Sequence, residues 1–122
     1  MRWLLHGPVS PAAAEALKRH QEKIEDPALL GLAANAPPLD VLKAAKTSQL
    51  DVLCVDPVFA NTPFEADYYF DRCIVLLQVQ GGEAEQNDAI DRLFARFKRL
   101  AGKRLYTVTA TNVKVRQLPH RH

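Results

Sequence analysis

Two aspartates bracket a short apolar run, Asp51-Val-Leu-Cys-Val-Asp56, and Pro57 follows at once. Four apolar residues closed by Asp-Pro predict a short buried strand that stops at Asp56. In an open parallel sheet, ligands bind outside the carboxyl ends of the strands, so Asp56 would stand at the edge where chemistry is done. An Asp-Pro pair is also a common turn opening, and both readings stand. His6 ends an earlier apolar run, Trp3-Leu-Leu5. It could serve as a metal ligand or touch a phosphate, although a hydrogen-bonded structural role is the plainer reading of a lone histidine. Asp40 and Asp71 are further carboxylates that a rearranged site with His6 and Asp56 would have to recruit.

Two other sets could bind rather than react. Arg92, Arg96, Arg99 and Lys103 repeat at helical spacing opposite an apolar face, an arrangement able to track a phosphate backbone. Asp88 and Asp91 are interleaved with them, so pairing on a solvated helix face is the simpler account. The aromatics between Phe59 and Phe70 could stack on bases, cap the core, or form a subunit contact; the last two are preferred.

These residues need a frame. Arg2-Trp-Leu-Leu5 predicts a first strand, ended by the turn signal His6-Gly7-Pro8. Ser10-Pro11 opens a helix with serine as cap and proline in the first turn, and Ala13, Ala16, Leu17 and His20 share a face. Ile24 begins a very short strand limited by Asp26-Pro27, and 28–36 reads as loop or a single turn. A second helix is predicted over Leu39 to Ser48, with Asp40 facing solvent or stabilised near its positive end. Pro57 to Tyr69 reads as a long loop or broken helix, a kind of segment that is often functional. Cys73 to Val79 is the strongest strand, apolar enough to be covered on both faces. A third long helix is predicted from Ala84 to Ala101 on the stripe Ile90, Leu93, Phe94, Phe97 and Leu100, stopped by Gly102. Alternation from Arg104 to Leu118, with Asn112 near its middle, predicts a closing β-hairpin. Pro119 ends order, leaving 120–122 as a disordered tail. The expected architecture is one α/β domain over 1–119, three layers deep, with a mostly parallel central sheet.

Composition bounds the rest. The 122 residues suit a single compact domain. The net charge of +2 neither requires nor excludes a nucleic-acid partner. No apolar run reaches membrane-spanning length, and the opening residues are too quickly broken to form a signal peptide, so a cytoplasmic protein with no membrane partner is expected. Cys54 and Cys73 both fall in predicted strands and read as free buried thiols.

The layout resembles small bacterial PIN-like domains, relatives of the VapC toxin ribonucleases. The matching pieces are Leu4-Leu5-His6-Gly7-Pro8, Pro38-Leu39-Asp40-Val41-Leu42, Val55-Asp56-Pro57-Val58-Phe59, Ile74-Val-Leu-Leu77 and Val113-Lys-Val-Arg-Gln-Leu-Pro119. The resemblance implies an α/β/α sandwich and RNA cleavage dependent on Mg²⁺ or Mn²⁺. In the family, acids at the strand edge hold the ion, which activates water and clamps the phosphate.

Position by position, most of those acids are replaced. The family's first-strand aspartate falls on His6, its glutamate neighbour on Gly7, the aspartate before the second helix on Pro38, and the second acid of Asp-x-Asp-Phe on Val58. Asp56 alone survives, with Asp40 two residues beyond a lost position and on a different helix face. One carboxylate supplies few of the six positions Mg²⁺ requires, so the expectation is no bound cofactor. Three functions follow. The favoured one is a catalytically impaired module that binds RNA or an antitoxin-like protein. The others are a working ribonuclease with a rearranged site, and an oligomerising scaffold such as a homodimer. Enzymatic activity remains open among them.

Overall fold

In the computed structural model, residues 1–25, 30–32 and 35–119 are described. The expected stop at Asp26-Pro27, much of the 28–36 connection and the 120–122 tail lie outside them.

The chain runs β1 (Arg2–His6), α1 (Pro11–Arg19), β2 (Lys23–Glu25), α2 (Pro38–Thr47), β3 (Asp51–Cys54), α3 (Pro57–Glu65), β4 (Ile74–Leu77), α4 (Glu83–Arg96), β5 (Arg104–Val108) and β6 (Val113–Gln117). The strands form one six-stranded sheet in the order β2-β1-β3-β4-β5-β6. All neighbours are parallel except the closing β5–β6 hairpin. The order reverses at β1, whose neighbours β2 and β3 lead the chain in opposite directions across the sheet. Doubly wound sheets have their switch point at such a place.

Alternation along the strands builds two cores. Leu4, Val52, Ile74 and Leu105 stand in register across four strands. They face α2 and α3, where Val41, Leu42, Ala45, Phe59 and Ala60 are buried. The intervening row of Leu53, Val75 and Tyr106 faces α1 and α4, packing with Ala13, Ala16, Leu17, Ile90 and Leu93. Each large aliphatic side chain so buried contributes about 1.5–3 kcal/mol. The expected three layers and mostly parallel sheet are thus present, with the antiparallel pair at the end.

The helices start where sequence chemistry allows. Ser10 Oγ accepts the Ala13 N–H at 3.2 Å, capping α1. Lys18 and Arg19 in its last turn complement the negative helix end. The α1 and α4 helices are tied by polar contacts: Arg19 Nη2 donates to Asn87 Oδ1 at 2.7 Å, and His20 Nε2 lies 2.8 Å from Asp91 Oδ1.

Three boundaries differ from expectation. The segment expected as loop or broken helix is helical from Pro57 to Glu65 despite Pro63 inside it, because Asp56 caps it and Pro57 suits the first turn. The strongest strand spans only Ile74–Leu77. The third long helix ends at Arg96, short of Gly102: Phe97 is extended and packs edge-on against Tyr106, ring centroids 5.2 Å apart. Tyr106 Oη also accepts the Ala101 N–H at 2.8 Å. Packing on the sheet therefore overrides the helical period over Phe97–Leu100. Gly102 serves another purpose. A Cβ there would lie 2.6 Å from the Asp71 carbonyl oxygen, so glycine permits the approach that leads into β5.

Candidate functional site

The carboxyl edge of the parallel strands collects His6 from β1 and Asp56 from just beyond β3. Asp56 is exposed, and its Oδ1 accepts the Val58 N–H at 2.9 Å as the cap of α3. One carboxylate oxygen is therefore engaged by the backbone. The His6 ring stacks on buried Phe59 with centroids 4.0 Å apart and planes 20° from parallel. Burial pushes the imidazole below its ordinary value, while the Asp56 charge opposes the shift. His6 is thereby held in its neutral form near neutral pH. A neutral imidazole beside an exposed carboxylate can accept a proton or donate one hydrogen bond.

The other candidate acids are elsewhere. Asp40 is exposed in the first turn of α2. Asp71 precedes β4, at the amino edge, separated from the Asp56 edge by a strand length of about 13 Å. It cannot complete a site with Asp56 and His6. Among the described residues, no group of three His, Cys, Asp or Glu side chains is placed to hold a metal ion. Cys54 and Cys73 are free and buried. Burial pushes the Cys54 thiol up to about 12 and Cys73 well above its ordinary value, so neither offers a thiolate at neutral pH.

The amino edge carries the acid that sequence reasoning treated only as a strand flank. Asp51 is 1% exposed. Its Oδ1 accepts the Cys73 N–H at 2.9 Å and its Oδ2 accepts from Arg72 Nη2 at 3.2 Å. It locks the start of β3 to the start of β4. An aspartate at a strand start carries no signal of burial, and its arginine partner lies beside another strand.

The basic stripe does not form one helix face. Arg92 and Arg96 lie on α4, whereas Arg99 and Lys103 follow its end. Arg92 donates twice to the Thr109 carbonyl, at 2.7 and 3.1 Å. Asp91, expected to pair within the helix, instead pairs with Arg19 at 3.1 Å and His20 at 2.8 Å. The His20 hydrogen bond is the main cause that holds the Asp91 carboxyl below its ordinary value.

A division of charge along the chain was missed by sequence reasoning. All fourteen acids lie at or before Asp91, and nine of the sixteen Lys and Arg residues follow it. Before Asp91, Arg2, Lys18, Arg19 and Arg72 each pair with a carboxylate. Among the described residues, none of Arg92, Arg96, Lys98, Arg99, Lys103, Arg104, Lys114 and Arg116 does so.

No protein-family model, curated protein or solved structure matches the chain. No helix among the described residues is long and apolar enough to cross a membrane.

Proposed function

We propose that this chain is a PIN-like domain that has lost metal-dependent cleavage and serves as an RNA-binding module. Support for the assignment comes from the doubly wound layout and the motif positions, with Asp56 at the strand end where that family keeps an acid. Support for lost chemistry comes from what surrounds it: His6 stacks on Phe59, Val58 is 68% exposed where a second acid would stand, and Asp56 caps a helix.

The observation that carries the binding role is the run of cations from Arg92 to Arg116, which have no carboxylate partner among the described residues. Unpaired cations displace counterions from a phosphate backbone, and this release drives association. Binding of labelled RNA should weaken linearly in a plot of log K against log salt. Removing Arg96 or Lys103 should reduce that slope by about one for each phosphate no longer neutralised. No binding at low salt, or binding indifferent to salt, overturns the role. RNA cleavage that requires Mg²⁺ or Mn²⁺ and disappears in Asp56→Asn overturns the loss of catalysis.

A further inference from the structure

Several cations of the amino edge sit on aromatic rings. The Lys46 Nζ, at the end of α2, is 4.5 Å from the Tyr69 ring centroid and 5.4 Å from that of Tyr68. It also donates to the Tyr69 carbonyl at 2.8 Å. Lys103, just before β5, is 5.7 Å from the Tyr69 centroid. The Arg116 guanidinium carbon is 3.7 Å from the Phe64 centroid.

The fold explains the gathering. Tyr69 precedes β4 and Lys103 precedes β5, so both lie at the amino ends of parallel strands. Because β6 is antiparallel, its late residue Arg116 pairs with Leu105 near the start of β5. Leu105 faces α2 and α3, which puts Arg116 on that same face, beside the last turn of α3 that carries Phe64. Phe64, Tyr68 and Tyr69 are half-buried, while Lys103 and Arg116 are exposed. Exposed Glu65 and Asp67 border the patch, and Asp51 is neutralised in its pair with Arg72.

We infer that this amino-edge patch binds single-stranded RNA, with bases stacking on Tyr69 and on the guanidinium of Arg116 that rests on Phe64, and phosphates meeting Lys46 and Lys103. The inference rests on the RNA-binding reading and adds the strandedness and the place, the sheet edge opposite the one that carries Asp56. Interleaved cations and aromatic rings suit single strands because an unpaired base exposes a π-face that a duplex conceals. An arginine already held against a ring, its guanidinium carbon 3.7 Å from the centroid, can stack on a base with less further ordering.

The test compares a labelled oligouridine of about ten nucleotides with an RNA duplex of equal length and with linear polyphosphate. Tyr69→Leu keeps the apolar body, and Arg116→Lys keeps the charge. Each should weaken oligouridine binding by about five- to a hundredfold and leave polyphosphate binding unchanged. Thermal melting confirms that the variants are folded. In the wild-type chain, 4-thiouridine crosslinks should map to 64–72 and 103–117, a readout that needs no variant. Equal binding of strand and duplex, insensitive to both substitutions, overturns the inference while the RNA reading stands. Crosslinks concentrated at 6–9 and 56–60 overturn it in the same way. If no RNA binds at low salt, the RNA reading falls and the inference with it.

Discussion

Asp51 and Asp56 flank the same strand, yet one is 1% exposed and the other is exposed to solvent. At the amino edge Asp51 faces Arg72 and the start of a neighbouring strand. At the carboxyl edge Asp56 meets the first turn of a helix and a neutral ring. The same side chain thus does different work at the two ends of one strand. A buried carboxylate requires a cation and donors, and only the amino edge supplies them. The carboxyl edge, where doubly wound folds usually place ligands, offers one solvated acid. The opposite edge offers cations laid on aromatic rings.

The largest test of this contrast is Asp51→Ala. It leaves Arg72 without its carboxylate and the Cys73 N–H without an acceptor, and should cost about 3 kcal/mol in urea unfolding. Gly102→Ala should follow, at about 1–3 kcal/mol, because its Cβ would meet backbone rather than a movable side chain. Asp56→Ala removes only a cap and should cost about 1 kcal/mol, whereas Asp56→Asn, also a good cap, should be nearly neutral. A greater loss at Asp56 than at Asp51 reverses the comparison. The smallest effect is pH-dependent. His6 has a folded pKa below its unfolded value near 6.5, so the unfolded chain takes up the proton first. Stability from this group is present above about pH 6.5 and falls as the pH drops through the folded value. Urea midpoints of the wild type and His6→Phe, compared at pH 7.5 and 5, should show this decline only in the wild type.

Much of the architecture was legible because its cues are local. The apolar runs of β1, β3 and β4, the Ser10-Pro11 start of α1 and the alternation of the closing hairpin each declare themselves within a few residues. What was hidden depends on partners far along the chain. The end of α4 is set by Phe97 against Tyr106, although the periodicity continues to Leu100. The extent of α3 was obscured by Pro63 and by aromatics that read as loop. His6 and Asp56 could be placed at one edge from strand direction alone. Asp71 could be placed in the same way: it precedes the strand predicted from Cys73, and so stands at the opposite edge, as β4 confirms. The charge division at Asp91 is plain in the residue order but hidden by the small net charge. The rings beneath Lys46, Lys103 and Arg116 required the fold.

The strand order has a consequence for the chain as it is synthesised. Once β1 and β2 have paired, every later strand joins the free side of the sheet, since β3, β4, β5 and β6 follow one another outward from β1. A nascent chain can therefore extend its sheet in the order in which it leaves the ribosome, without opening an earlier pair. The cations from Arg92 to Arg116, without carboxylate partners among the described residues, follow all fourteen acids of the sequence. By Asp91 the chain carries fourteen acids against seven Lys and Arg, and the surface proposed to receive RNA is completed only with the closing hairpin.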